Sequence, residues 1–358
     1  MSNNKRSTRW AAGAAVLLTS ALALTACGGG DAQGGGDDKT LVLSTFAFGV
    51  DDFKKSVIDP FTAATGIEVE VETGSNADRL SKLELNKNSG IDVMLISDYY
   101  AAAGQAKDLF EKADPAKIPN MAKVAPFAVD TKLNGPAYTF QLNGMMYRTD
   151  VMDAATAAKW DTLSEPANAR KIALPDLAAT SGQLTLSGFA ANYGSGPFDV
   201  DKGLAKMGTL APSALKFYTA STEVTNLIQQ KEIVAAPALD GFARNLVSSG
   251  APVAWTPTAT GKYMTTNRAM IVKGSGHVSA AEKFIDYLLS TEAQSASAEV
   301  LGDKPVNPEA KLPDILTKVS GPAAKDPVGA GFATLDMGPI VANRSAWVER
   351  YAREVTSK

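Results

Sequence analysis

The 358-residue chain contains 45% hydrophobic and 20% charged residues, which is enough apolar material for one large or two medium globular domains. Its formal net charge of -3 gives no support to a nucleic-acid partner, because such a partner requires a basic face or stripe. With one cysteine, Cys27, and one histidine, His277, the sequence excludes an internal disulfide, a Cys/His zinc cluster and any metal site or triad that needs two histidines.

The start of the chain, residues 1–26, predicts a signal peptide for export. Basic residues within 5–9 precede an apolar run over 10–24, which is short for a membrane span. The run ends in Leu-Thr-Ala-Cys at Cys27, which resembles the lipobox of bacterial lipoproteins, where the signal is cut before the cysteine and the thiol is acylated. The alternative is an ordinary cleavage site beside a free thiol.

The segment 27–39 is rich in glycine and aspartate, so it predicts an acylated cysteine followed by a flexible tether. Its glycines are a spacer and not a phosphate cradle, because no strand precedes them and no helix follows. We therefore expect an exported body that is lipid-anchored on the outer face of the bacterial cell membrane, or periplasmic.

The body opens with alternating strands and helices. Residues 40–48 predict a strand, 51–64 an amphipathic helix in which Pro60 introduces a kink, and 67–71 a half-exposed strand. A second helix over 78–86 precedes 93–96, a continuous apolar run that is typical of a strand covered on both faces. Strand–helix–strand alternation is the pattern of βαβ units and a parallel sheet.

Polar and aromatic side chains lie at the carboxyl ends of the first and third strands. Ser97, Asp98 and Tyr99 come after the buried run, and Phe46 and Phe48 follow the apolar core of the first strand. Open α/β sheets bind small molecules outside the carboxyl ends of their strands, so these residues predict a ligand site. The alternative is a helix cap at Ser97 or Asp98 with the tyrosine as packing.

Several segments, in their order and spacing, resemble the solute-binding proteins of ABC importers, with the spermidine/putrescine-binding proteins as the nearest subgroup. Two of them read Asp-Pro-Phe-Thr-Ala-Ala-Thr-Gly-Ile-Glu-Val and Ile-Asp-Val-Met-Leu-Ile-Ser-Asp-Tyr-Tyr. The others lie at 116–120, 138–147, 160–163, 281–290 and 305–308. The resemblance therefore extends over essentially the whole body.

The resemblance implies a two-lobed α/β fold of the type II periplasmic-binding-protein class, hinged by two crossing strands and closing about a ligand. Mapped onto this sequence, lobe 1 covers 40–143 plus 268–358, and lobe 2 covers 144–267. It further implies a monomeric receptor that delivers a small solute to the transmembrane subunits of an ABC permease. No catalytic residue, cofactor or metal is expected.

A polyamine is the default ligand of the subgroup, and it needs carboxylates for its ammonium groups and aromatic faces for its methylenes. The resemblance implies first-lobe contacts at Phe46, Ser97 and Tyr99. The second lobe departs from the pattern: the expected acidic pair falls on Leu177 and Thr180, although a shift of one position recovers Asp176.

Two further departures weaken the polyamine prediction. Leu239 stands where a tryptophan is expected, and Asn267 where the return crossing should carry an aspartate. Losing carboxylates would leave buried ammonium groups unpaired, at a cost of several kcal/mol. Asp240 and Trp255 lie near the inferred cleft and can contact a ligand of either charge.

The segment Thr-Ser-Gly-Gln at 180–183 offers a different ligand class. If it opens a helix, Ser181 and the free backbone N–H groups suit an anionic phosphonate or organophosphate. The alternative is a plain helix cap, and a thiamine-like ligand is a further possibility for the same receptor.

An exported carboxylate-pair glycoside hydrolase is the rival from another class, because two acids far apart in sequence leave no motif. The chain contains no G-x-S-x-G, H-E-x-x-H or Walker A sequence.

Overall fold

The computed structural model describes residues 39–130 and 132–357. The predicted signal peptide, Cys27 and all but the last residue of the tether lie outside this range, so those predictions stay predictions.

The strands of the described residues are numbered in chain order. They are β1 (Thr40–Thr45), β2 (Glu68–Thr73), β3 (Val93–Ser97), β4 (Phe110–Glu111), β5 (Ala137–Arg148), β6 (Ile172–Pro175), β7 (Ala214–Tyr218), β8 (Ala235–Leu239), β9 (Val253–Thr256), β10 (Tyr263–Val272), β11 (Lys304–Pro305) and β12 (Ala333–Thr334).

The α-helices are numbered in the same way, and short 3-10 and π segments lie between some of them. They are α1 (Val50–Phe53), α2 (Asp59–Thr65), α3 (Asn76–Leu85), α4 (Asp98–Ala106), α5 (Ala154–Ala157), α6 (Thr180–Tyr193), α7 (Val200–Leu210), α8 (Ser221–Gln229), α9 (Arg244–Ser248), α10 (Val278–Leu288), α11 (Thr291–Val300), α12 (Asp314–Ser320) and α13 (Met337–Tyr351).

The strands form one sheet in the order β2-β1-β3-β10-β5-β8-β6-β7. Strands β1, β2 and β3 are parallel, and so are β6, β7 and β8, whereas β10 runs antiparallel to β3 and β5. The long strand β5 belongs to both groups: its residues 137–142 pair with β10, and its residues 143–147 pair with β8. Strand β5 is therefore the continuous link between the two parallel groups.

The local sequence explains the elements of the first group. Every residue of β3 is buried, as the unbroken apolar run predicts. In β2 the three glutamates and Thr73 are exposed, whereas Val69 and Val71 are half-buried. Ahead of Pro60, a π-helical segment, Lys54–Ile58, separates α1 from α2. The helical turn that precedes the proline is therefore π-helical and not α-helical.

The buried side chains of the C-terminal segment pack with the second group of strands. Trp347, Tyr351 and Val355 share a hydrophobic cluster with Leu174 and Leu204. The hydroxyl of Tyr351 also donates a hydrogen bond of 2.8 Å to the carbonyl oxygen of Pro175. Residues after Leu335 thus associate with strands that the sequence-based boundaries assign to lobe 2, although those boundaries put residues 268–358 in lobe 1.

Replacing Gly144 by alanine is expected to destabilise the link through β5. A Cβ at this position would lie 2.4 Å from Cζ2 of Trp255 and 2.5 Å from the carbonyl oxygen of Thr256, and the second contact is with backbone. Overpacking of this kind costs about 1–3 kcal/mol, measurable as a lower urea midpoint. Gly276→Ala is the control, because nothing lies within 4 Å of its Cβ. Equal midpoints for the two variants would contradict the prediction.

Candidate ligand-binding cleft

A narrow cleft lies where α4 and α6 begin, and we call it the α4–α6 cleft. Helix α4 starts directly after β3, and four residues separate the end of β6 from the start of α6. The cleft has a volume of about 40 Å³. Its walls are Ser97, Asp98, Tyr99, Tyr100, Ala178, Ala179, Thr180, Gln183, Leu184, Thr265, Leu335, Met337, Ile340 and Arg344.

Both helices direct their N-termini at this space. The first backbone N–H groups of a helix have no acceptor within the helix, and together with the helix dipole they carry partial positive charge. Neither N-cap residue forms a side-chain capping bond: Ser97 holds the N-cap position of α4, and Ala179 that of α6. In α4, however, the carboxylate of Asp98 accepts from the backbone N of Tyr99 at 2.8 Å, so the uncapped N-terminus at the cleft is that of α6. An uncapped helix N-terminus favours an anionic group.

Arg344 supplies the cationic side chain of the cleft. Its guanidinium carbon lies 4.4 Å from the ring centroid of Tyr99, and its Nη2 donates a 2.5 Å hydrogen bond to the carbonyl oxygen of Leu177. Burial raises the pKa of Tyr99, and the nearby Arg344 opposes that shift. The charged residues of the cleft walls are Arg344 and one carboxylate, Asp98.

The carboxylate of Asp98 is already fully engaged. Its Oδ1 accepts hydrogen bonds from Oγ1 of Thr265 at 3.0 Å and from the backbone N of Tyr99 at 2.8 Å, while Oδ2 accepts from the backbone N of Thr266 at 3.0 Å. Burial raises the pKa of Asp98, and these hydrogen bonds oppose the shift. These hydrogen bonds connect β10 to the start of α4. They leave Asp98 with little hydrogen-bonding capacity for an ammonium group.

Gln183 brings spare hydrogen-bonding capacity to the cleft. The side chain is 8% exposed, its Nε2 donates to Oγ of Ser187 at 3.3 Å, and its Oε1 has no partner among the described residues. A buried amide oxygen without a partner is costly unless a ligand or water satisfies it. This amide can bind a polar group of a ligand next to the helix N-termini.

Three further predicted contacts, Phe46, Phe48 and Asn267, lie outside the cleft walls. Phe46 packs against the guanidinium of Arg79, 5.0 Å from its ring centroid, and Phe48 is 80% exposed. Asn267 pairs with Ser97 in the ladder between β10 and β3, which brings its backbone to the edge of the site.

The predicted contacts from the second lobe mostly have internal partners. Asp240 is fully buried in an ion pair with Lys304, and the indole N–H of Trp255 donates to the carbonyl oxygen of Ala238 at 2.9 Å. The hydroxyl of Ser181 is buried 2.5 Å from that of Tyr218, and Oδ1 of Asp176 accepts from the backbone N of Ala178 at 2.8 Å. These side chains are bonded to other parts of the protein, and none of them is among the cleft walls.

Ser97, Asp98 and Tyr99 are the predicted site residues that the structure brings into the cleft walls. Reasoning from sequence missed Arg344, because its helix reads as a packing stripe and nothing local signals that α13 reaches the start of α4. The sequence predicts a possible anion site at residues 180–183 if a helix begins there, and α6 does begin at Thr180.

No helix within residues 39–130 and 132–357 is long and apolar enough to cross a bilayer. The same residues contain no group of three histidine, cysteine or acidic side chains placed to hold a metal ion.

Comparison with known proteins gives consistent likenesses along the chain. A family model described as bacterial extracellular solute-binding protein matches residues 56–325. The spermidine/putrescine-binding periplasmic protein of Salmonella typhimurium is 23% identical over 296 residues, which cover 80% of this chain and 82% of that protein. The maltooligosaccharide ABC transporter solute-binding lipoprotein of Streptococcus pneumoniae is 27% identical, over 85% of this chain and 83% of that protein.

The fold comparison agrees. The crystal structure of an ABC transporter from Clostridium perfringens matches with a TM-score of 0.76 and 29% identity, over 88% of this chain and 99% of that chain. The predicted fold class, a two-lobed α/β architecture of the periplasmic-binding-protein type, is confirmed by this and similar structures.

Proposed function

The chain belongs to the family of bacterial extracellular solute-binding proteins and is a solute-binding protein of an ABC transporter, and we propose that its α4–α6 cleft captures a small solute with an anionic group. The family membership confirms the resemblance predicted from sequence. In this proposal the protein delivers the captured solute to the permease subunits, and it acts as a monomer without a catalytic residue.

The observation that carries the choice of an anion is the charge around the cleft. Arg344 and the uncapped N-terminus of α6 provide positive charge in one small space. Hydrogen bonds to charged groups are stronger than neutral ones, so a phosphonate, phosphate or carboxylate would gain from each of these donors. Gln183 then holds a second polar group of the solute.

A polyamine is the second candidate, favoured by the name of the Salmonella relative at 23% identity. Two of the carboxylates predicted to receive its ammonium groups are engaged elsewhere: Asp98 accepts three hydrogen bonds, and Asp240 is paired with Lys304. Freeing either carboxylate would leave buried donors unpaired, which costs about 1–3 kcal/mol for each donor. The geometry therefore favours the anion.

Ligand entry requires the lobes to separate. The cleft volume of about 40 Å³ is close to the share of one or two water molecules in the liquid, whereas small-molecule pockets measure about 300–1,000 Å³. In our proposal the lobes comprise 40–143 with 268–334 and 144–267 with 335–357, because the C-terminal cluster packs with the second group of strands. Hinge motion between them opens and closes the cleft.

Anchoring and location follow the sequence prediction. The family is extracellular, and the streptococcal relative is named a lipoprotein. We propose that Cys27 is acylated after signal cleavage and holds the body on the outer face of the cell membrane. The relatives are binding proteins, so a receptor is favoured over the carboxylate-pair hydrolase.

A thermal-shift panel tests the proposed ligand class. The purified chain is melted with methylphosphonate, 3-aminopropylphosphonate, 4-aminobutyrate, putrescine, spermidine and maltotriose. A ligand at about 100 times its dissociation constant adds ~2.7 kcal/mol of stability, which corresponds to a rise in melting temperature of about 5 °C for a chain of this size. We expect such a rise from at least one of the three acids. A rise from the polyamines or maltotriose alone would overturn the anion proposal and leave the receptor role intact.

A further inference from the structure

A second cavity lies beside α4 and is larger than the α4–α6 cleft, with a volume of about 420 Å³. Most of its wall residues differ from those of the cleft. Its walls come from α4, from β10, from the segment before β5 and from the start of α13. Asp98, Leu335 and Met337 line both spaces and divide them. The remaining walls are Ala102, Gln105, Ala106, Asp130, Lys132, Leu133, Thr266, Arg268, Thr334, Asp336, Gly338, Val341 and Ala342.

The wall formed by β10 carries a buried cation with incomplete bonding. Arg268 is 2% exposed, its Nη1 donates to the carbonyl oxygen of Gly135 at 2.9 Å, and its Nε has no partner. None of the ion pairs among the described residues involves Arg268. Two residues earlier, on the same face of the strand, Oγ1 of Thr266 is also buried without a partner. Buried groups of this kind are costly unless something occupies the cavity beside them.

The three carboxylates of the cavity walls each have a donor. That of Asp98 is held by three donors, Oδ1 of Asp130 accepts from the backbone N of Lys132 at 2.9 Å, and Asp336 is paired with Lys132 at 3.0 Å. Burial lowers the pKa of Arg268, and the charges of Asp98 and Asp130 oppose that shift. Arginine side chains are effectively always protonated, so Arg268 supplies a cation.

The rest of the space suits an apolar chain. The walls include Ala102 and Ala106 of α4 and Val341 and Ala342 of α13. A volume of about 420 Å³ is in the range of small-molecule pockets, which combine apolar walls with a few placed polar groups.

We propose that this cavity binds a small organic acid, independently of the solute in the α4–α6 cleft. The carboxylate accepts hydrogen bonds from the guanidinium of Arg268 and the hydroxyl of Thr266, and the apolar chain lies between α4 and α13. Because the walls come from elements that pack with both groups of strands, the occupant contacts both sides of the hinge.

Calorimetric titration of the full chain with butyrate tests the site, with butyramide as the neutral probe of the same shape. We expect saturable binding of one butyrate and at least tenfold weaker binding of butyramide. Arg268→Gln should weaken butyrate at least tenfold, because it removes the cation. Ala342→Trp should do the same by filling the cavity from an exposed position that does not threaten folding.

The controls separate this cavity from the cleft. Ala346→Trp changes an exposed residue one turn further along α13, outside the cavity walls, and should bind butyrate as the unchanged chain does. Arg344→Gln should also keep butyrate binding, even if it loses the solute of the cleft. Full binding by Ala342→Trp, loss of binding in Arg344→Gln, or equal affinity for butyramide would each overturn the proposal.

Discussion

Replacing Asp240 by alanine is expected to lower the free energy of unfolding by about 3–5 kcal/mol, because removing one partner of a buried ion pair strands the other charge. Nζ of Lys304 lies 2.8 Å from Oδ2 of Asp240, and both side chains are almost completely buried. Ser320 donates to the same carboxylate at 2.5 Å, and the backbone N of Leu142 donates at 3.0 Å. The network thus joins β5, the end of β8, β11 and α12.

Urea denaturation of the variant measures this effect, with the double variant Asp240→Asn, Lys304→Met as a test of its origin. Removing both charges avoids the unpaired ion, so the double variant should recover part of the lost stability. Lys273→Ala is the matched control, because its ion pair with Asp108 is exposed and should contribute little. A loss below about 1 kcal/mol in Asp240→Ala would show that the buried charge is not the stabilising feature.

Replacing Arg344 by glutamine is expected to weaken binding of the anionic solute about 10- to 100-fold, since hydrogen bonds to charged groups contribute about 1.5–3 kcal/mol. The guanidinium is held over Tyr99 and bonded to Leu177, so it is positioned before the solute arrives. Calorimetric titration with whichever acid stabilises the chain gives the two dissociation constants.

Arg353→Gln controls for charge alone, because Arg353 is exposed on the same C-terminal segment and far from the cleft walls. It should bind the acid like the unchanged chain. If Arg344→Gln also binds normally while folding normally, the positive charge of the cleft does not select the solute, and the N-terminus of α6 alone has to account for binding.

The cleft residues that follow β3 could be predicted from sequence because the signals for them are local. An unbroken apolar run marks β3, and the polar residues Ser97, Asp98 and Tyr99 follow it within three positions. One short stretch of sequence therefore predicts both the strand and the site. The helix opened at Thr180 is local in the same way. Family resemblance supplied the two-lobed architecture that periodicity alone does not give.

The rest depends on contacts between distant parts of the chain. Asp240 has the chemistry of a ligand contact, but its partner Lys304 lies 64 residues away and takes up its charge. Arg344 enters the cleft because α13 returns to α4, while its own helix carries only a packing pattern. The residues next to Asp240 do not reveal that its carboxylate is already paired. The residues next to Tyr99 do not reveal that Arg344 packs against its ring.

The most direct test compares 4-aminobutyrate, 3-aminopropylphosphonate and putrescine by calorimetric titration of the same chain. The three molecules share an aminopropyl group. They differ in whether the other end carries a carboxylate, a phosphonate or an ammoniomethyl group. An anion-selective cleft predicts saturable binding of one or both acids and none of putrescine. Saturable heat from putrescine alone, or none from either acid, would contradict it.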